Sequence, residues 1–233
     1  MCLLWHDLVT GREIVTLRLQ ANRSFAANYL RFILCFVAKT MIHEKPVPSL
    51  KRSLVAGGFG FSLVALCVFA TVAFGEVWLY RKLTVYGAYL FWTALFILLG
   101  GLALGSLVVG RWRLPKFYLL FGLAFFAYAF GWTALYFALR GFHGQWLGLL
   151  AGSILMAIVF AAGFRVMRSI LKFAALLFVA NWIGYFWGAD LNDRFGGIAG
   201  MLLWGVVYGL FLGAAIGAVL HYAQVQQWKP ENS

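Results

Sequence analysis

Residues 195–220 read FGGIAGMLLWGVVYGLFLGAAIGAVL, and four glycines follow one another at intervals of four residues: Gly205, Gly209, Gly213 and Gly217. Four residues advance about 400° around an α-helix, so these glycines share one helix face. Each glycine in a helix interior costs roughly 1 kcal/mol relative to alanine. Their regular spacing therefore predicts a groove in which a second helix backbone packs closely, as at small-residue interfaces in membranes.

The composition of the whole chain also indicates a membrane protein. Of its 233 residues, 64% are hydrophobic and 11% are charged, against about 45–50% and about 25% in soluble domains. Six runs of 17 to 26 residues contain no Asp, Glu, Lys or Arg: 54–75, 86–110, 117–139, 146–164, 173–189 and 195–220. A spanning helix needs about 20 such residues. The sequence predicts an all-α, polytopic integral membrane protein with six transmembrane helices arranged as three antiparallel hairpins.

The orientation of the chain in the membrane explains its net charge of +12. With six spans, fifteen of the nineteen Lys and Arg residues fall on the side that holds both termini, and only Arg81, Lys82, Arg140 and Arg194 fall on the other. Because basic loops remain cytoplasmic, we expect both termini in the cytoplasm and the chain in the cell inner (plasma) membrane. Membrane lipids, including anionic headgroups, are the expected partners of this charge, and no nucleic acid is expected.

The sequence divides into three parts. Residues 1–53 form a basic cytoplasmic segment, in which the apolar stretch 25–38 is too short to span and predicts an interfacial helix. An alternative is that translation starts at Met41, so that residues 1–40 are a mis-assigned start. Residues 54–222 form the six-helix domain, and residues 223–233 form a short cytoplasmic tail.

The three hairpins are expected to turn at residues 76–85, 140–145 and 190–194, where polar residues gather. The returning helices are rich in small residues, among them Gly101 and Gly105 in the first hairpin and the four glycines of the third. The outgoing helices are rich in aromatic residues. This division predicts that returning helices pack centrally and that outgoing helices present their aromatic side chains to lipid.

The six runs contain no Asp, Glu, Lys, Arg or His, which argues against a proton relay within the membrane. Their most polar residue is Asn181, for which an interhelical hydrogen bond and a substrate contact are the two readings. Hydroxyl groups accompany it at Ser62, Thr71, Thr93, Ser106, Thr133 and Ser153.

A second group of polar residues lies on the outer side: Glu76, His143, Gln145, Asp190, Asn192 and Asp193. Together they could bind a divalent cation or act on a lipid headgroup. The competing interpretation is that Asn192 or Asp193 caps the sixth helix. Phosphate-binding, zinc-helix and serine-hydrolase motifs are absent from the sequence. We therefore expect no enzymatic activity, no catalytic residue, no cofactor and no metal site.

Three functions remain. The first is a non-enzymatic membrane subunit or scaffold that packs through its glycine-rich faces, within the chain, with a protein partner or as a homo-oligomer. The second is a small transporter or channel for a neutral or lipophilic solute, lined by Asn181 and the hydroxyl groups. The third is a lipid-modifying enzyme that uses Glu76, His143, Asp190 and Asp193.

Overall fold

A computed structural model of the protein describes residues 46–110 and 113–228. Within them the chain is all helical, without strands, which confirms the predicted class. The elements are α1 (Leu50–Leu104), a 3-10 turn (Gly105–Leu107), α2 (Arg113–Leu139), α3 (Gly141–Gly163), a 3-10 turn (Met167–Ser169), α4 (Ile170–Phe195) and α5 (Gly197–Trp228). The predicted interfacial helix 25–38 and the alternative start at Met41 lie outside the described residues.

Five helices of the described residues are long and apolar enough to cross a membrane, where the sequence predicts six. Large apolar side chains cover their outward faces: Leu63 is 65% exposed, Phe74 71% and Leu171 84%. Water would disfavour so much exposed apolar surface, whereas lipid tails solvate it. The structure thus has the make-up of a multi-pass membrane protein.

Helix α1, the longest of the five, contains a reversal. Thr84 has a φ of 63° and a ψ of 174°, outside the helical region. The rings of Phe61 and Phe96 lie 5.6 Å apart, although a straight helix would separate them by about 50 Å. The chain therefore folds back at Thr84 into a first arm, residues 50–83, and a second arm, residues 85–104.

The other predicted turns are also shorter than expected. Arg140 and Gly141 have φ values of 51° and 56°, and Gly196 and Gly197 have values of 64° and 54°. The first of these turns lies at the start of the predicted range 140–145, whose later residues are helical, and the second follows the predicted range 190–194, which is helical throughout. We call the end of the molecule with these two turns and the Thr84 reversal the reversal end.

The capping prediction for the sixth helix is wrong for the same reason. Asn192 and Asp193 lie in the last turn of α4, before the turn that leads into α5. The backbone carbonyl of Asn192 accepts a hydrogen bond of 2.8 Å from the amide of Gly196 and so closes α4. At the other end, α5 continues to Trp228, with Gln224 buried, so the predicted tail 223–233 begins inside a packed helix.

Helix α5 packs antiparallel on the first arm through its four spaced glycines. A Cβ atom added at Gly209 would lie 2.6 Å from the carbonyl oxygen of Phe61, and one at Gly205 would lie 3.1 Å from that of Ala65. One at Gly213 would meet the carbonyl oxygen of Gly57. At Gly217 it would meet the carbonyl group of Ser53. The groove along α5 is thus filled by backbone of the same chain.

The same spacing recurs in the other helix pairs. In α3, Gly144, Gly148 and Gly152 face Tyr136, Trp132 and Tyr128 of α2. Between α4 and α5, Gly184, Gly188 and Gly200 face Tyr208, Trp204 and Asn192. Gly101 and Gly105 differ, because they lie under the side chains of Tyr118 and Leu114 of α2. Glycines therefore set close distances between consecutive helices.

The expectation that outgoing aromatic residues face lipid holds for only some of them. Helix α5 is the most buried of the five. Phe61, Phe121 and Phe173 of the outgoing helices are nevertheless completely buried, and Phe125 is 3% exposed. For these residues the prediction is wrong, since their rings fill the interior between the helices.

Candidate functional site

A cavity of about 180 Å³ lies among both arms of α1 and helices α2, α4 and α5. We call it the central cavity. No charged side chain lines it, and nine of its fourteen lining residues are aromatic: Phe69, Tyr89, Trp92, Phe96, Phe125, Tyr128, Trp132, Tyr185 and Tyr208. Such a wall suits a flat, uncharged ring, because aromatic pairs stack or meet edge to face at 4.5–7 Å.

Two aromatic pairs bridge the second arm and α2 at different depths. Phe96 and Phe125 have ring centroids 5.0 Å apart, and Tyr89 and Trp132 stack at 6.3 Å with an interplanar angle of 30°. Within each helix the two members are seven residues apart, which corresponds to about 10 Å along the axis. The central cavity thus has an aromatic pair at each of two levels along these helices.

A buried hydrogen-bonded triad supports one wall. The side-chain amide of Asn181 donates to the hydroxyl oxygen of Tyr128 at 2.9 Å, and the hydroxyl groups of Tyr128 and Tyr208 lie 3.2 Å apart. Asn181 is completely buried, and the two tyrosines are 6% and 7% exposed. Both tyrosines line the cavity but Asn181 does not, so Asn181 positions the tyrosines from behind.

Two of the six predicted hydroxyl residues, Thr93 and Thr133, line the central cavity. The Thr93 hydroxyl group donates to the carbonyl oxygen of Tyr89 at 2.8 Å. Ser62 donates to the carbonyl oxygen of Val206 at 2.9 Å, and Thr71 bonds within its own helix. Ser106 is exposed and Ser153 is buried outside the cavity. The hydroxyl groups therefore do not form a continuous polar pathway in the described residues.

A second cavity, of about 410 Å³, lies at the reversal end. We call it the vestibule. Its polar lining residues are Glu76 of the first arm and Asn192 of α4, and Gly197 and Met201 of α5 complete one side. Val72 lines both the vestibule and the central cavity. The two spaces therefore lie next to each other along the first arm, and Val72 borders both.

The structure separates the other predicted outer residues from this pair. Asp190 forms an exposed salt bridge of 2.9 Å with Arg194. His143 lies in the first turn of α3 with its ring 6.2 Å from that of Phe142, and both His143 and Asp193 are exposed. None of the three lines the vestibule. No group of three or more His, Cys, Asp or Glu residues within 46–110 and 113–228 is arranged to hold a metal ion.

Sequence reasoning missed the aromatic members of the site. Tyr128 and Tyr208 lie well inside their apolar runs, whereas membrane tyrosines are enriched near the two interfaces. A tyrosine far from an interface needs a hydrogen-bond partner for its hydroxyl group. The central positions of Tyr128 and Tyr208 in their apolar runs could therefore have predicted that both belong to a buried polar cluster. Trp92 and Trp132 carried no such signal, and their buried indole nitrogens have no hydrogen-bond partner among the residues that the structure describes.

The triad allows a first prediction. Replacing Asn181 with leucine and Tyr128 with phenylalanine, singly and together, should give a coupling energy of about 0.6–1.7 kcal/mol, the range for hydrogen bonds between membrane helices. Unfolding in mixed micelles by titration with a denaturing detergent measures it. Additive effects of the two replacements would contradict the hydrogen bond between Asn181 and Tyr128.

Comparison with protein-family models, with curated proteins and with solved structures gives no match. In the central cavity the polar groups are phenols, hydroxyls and indoles, without a carboxylate or a histidine.

Proposed function

We propose that the protein is a non-enzymatic membrane protein that binds and carries a small lipophilic ring compound, whose ring occupies the central cavity. The observation that supports it is the aromatic, uncharged wall around about 180 Å³. An apolar cavity of about 150 Å³ holds a benzene molecule. One ring, or two fused rings, therefore matches the space.

We further propose six transmembrane spans with both termini in the cytoplasm. The reversal at Thr84 divides α1 into two arms, and each arm has the roughly 20 residues that a span needs. The reversals at Thr84, at Arg140 and at Gly196 would then share the outer side of the inner membrane. Fifteen basic residues against four favour this orientation.

The packing of the glycines makes the scaffold function the weaker candidate. Gly205, Gly209, Gly213 and Gly217 already contact the first arm of the same chain. A protein partner or a second copy would have to use another surface. The lipid-modifying enzyme is also disfavoured, because Asp190, Asp193 and His143 do not join Glu76 in the vestibule.

Filling the cavity tests the proposal. Phenylalanine at Ala129, which lines the central cavity, should reduce the binding of naphthalene to the nanodisc-embedded protein by about tenfold or more. The reason is that overpacking at this site displaces a ligand of similar volume. Equilibrium dialysis against empty nanodiscs measures the binding, and mass spectrometry of the purified protein should show any natural ligand lost in parallel.

A matched control is available on the same helix. Ala134 is exposed on α2 and does not line the cavity, so Ala134→Phe should bind naphthalene as the wild type does. Equal binding by the Ala129 and Ala134 variants, or no binding by the wild type above the empty nanodisc, would refute the central cavity as a ligand site.

A further inference from the structure

We propose that the ligand also carries a positively charged amine, which binds Glu76 and Asn192 in the vestibule while its ring occupies the central cavity. This inference rests on the proposed function and adds the chemical class of the ligand. It makes the two cavities parts of one site that is apolar in the interior and acidic at the reversal end.

The spacing along the first arm supports a single elongated site. Phe69, Val72 and Glu76 follow one another at intervals of three and four residues, so they lie along one helix face. Phe69 lines the central cavity, Val72 lines both cavities and Glu76 lines the vestibule. The rise from Val72 to Glu76 is about 6 Å. A linker of two or three carbons between ring and amine matches this distance.

The charges of the site favour a cation. No Lys, Arg or His lines either cavity. Asp190 is paired with Arg194, whereas Glu76 forms no salt bridge within the described residues. Arg81 and Lys82, which follow on the same arm, are exposed. The Tyr80 hydroxyl group interacts with the Glu76 carboxylate but leaves its negative charge uncompensated. A cationic ligand would therefore be attracted to Glu76, whereas an anionic ligand would be repelled.

The partial burial of Glu76 strengthens this preference. A charge-assisted hydrogen bond between an ammonium group and a carboxylate is about twice as strong as a neutral one, and its Coulomb energy rises where water is partly excluded. The side-chain oxygen of Asn192 offers a second acceptor in the same cavity. The aromatic ring of Phe74, which also lines the vestibule, favours a cation over a neutral group as well.

A pair of isosteric probes tests the inference. For the full-length protein in nanodiscs, 3-phenylpropylamine should bind about tenfold more tightly than butylbenzene, which replaces the ammonium group by a methyl group. Glu76→Gln should remove this difference and leave butylbenzene binding unchanged, so the neutral probe also reports that the variant is folded. Equilibrium dialysis corrected for empty nanodiscs measures both affinities.

Two further variants complete the design. Asp193→Asn removes a carboxylate from the same end of the molecule but outside the vestibule, and it should retain the tenfold preference. Asn192→Asp adds a carboxylate inside the vestibule and should increase the preference for the amine. A loss of preference in Asp193→Asn equal to that in Glu76→Gln would overturn the assignment, because it would indicate general surface attraction.

The outcomes distinguish this inference from the proposed function. Equal binding of the two probes by the wild type refutes the amine site and leaves the central cavity as a ligand site. Binding of neither probe refutes both. Preferential binding of the amine that survives Glu76→Gln and is unaffected by Asn192→Asp refutes the vestibule as its location.

Discussion

Leucine at Gly213 is expected to abolish the folded protein. A Cβ atom there would meet the Cβ atom of Phe61 and the carbonyl oxygen of Gly57. The carbonyl group is backbone and cannot move aside as a flexible side chain can. Extra methylenes in a packed interior cost about 1–3 kcal/mol or more, and leucine adds four carbon atoms where none fits. Size-exclusion chromatography in mild detergent should show loss of the monodisperse peak.

Gly75 provides the matched control, since it too lies inside a helix, in the first arm of α1, but has nothing within 4 Å of an added Cβ atom. Gly75→Leu should elute as the wild type does. The scaffold function makes a different prediction for Gly213→Leu: a wild-type oligomer on a native gel would dissociate into folded monomers. That result would contradict the role of Gly213 in packing within the chain.

Leucine at Gln224 is expected to cause the second-largest loss of stability. Its side-chain amide donates to the carbonyl oxygens of Leu107 and Leu220 at 3.1 and 2.9 Å, and its oxygen accepts from the amide of Val109 at 2.9 Å. Leu107 ends the 3-10 turn that follows α1, and the backbone becomes extended at Val108. The backbone groups of Leu107 and Val109 therefore depend on Gln224, which is 6% exposed.

The replacement leaves a backbone N–H group and a carbonyl group without their partner, at about 1–3 kcal/mol for each buried group. We expect the melting temperature in detergent to fall by roughly 10 °C, since 1 kcal/mol corresponds to about 2–4 °C in a chain of this size. Gln227 lies on the same helix and is exposed, so Gln227→Leu should melt close to the wild type. Equal losses for both variants would contradict the proposed role of Gln224.

The apolar runs predicted the helices well, but the polar residues between them misplaced the turns. Glu76, Arg81 and Lys82 marked a loop in the sequence, and the structure shows all three within the helical first arm. Charge marks where a helix leaves the hydrocarbon, whereas a helix ends where its backbone hydrogen bonds end. When a helix extends beyond the apolar layer, a prediction from hydropathy therefore assigns its polar end to a loop.

The site was less predictable than the fold. Asn181 was singled out because an amide inside an apolar run is conspicuous, but Tyr128 and Tyr208 were counted with the apolar residues. Glu76 and Asn192 were grouped with residues that the structure holds elsewhere. Which faces of different helices converge depends on helix rotation and crossing angle, and one sequence without tertiary contacts does not fix either quantity.

The brevity of the reversals has a consequence for biogenesis. One or two residues, at Thr84, at Arg140–Gly141 and at Gly196–Gly197, join antiparallel helices. With so short a linker, the second helix of each pair leaves the ribosome directly after the first. We therefore expect the two helices of each pair to enter the lipid together.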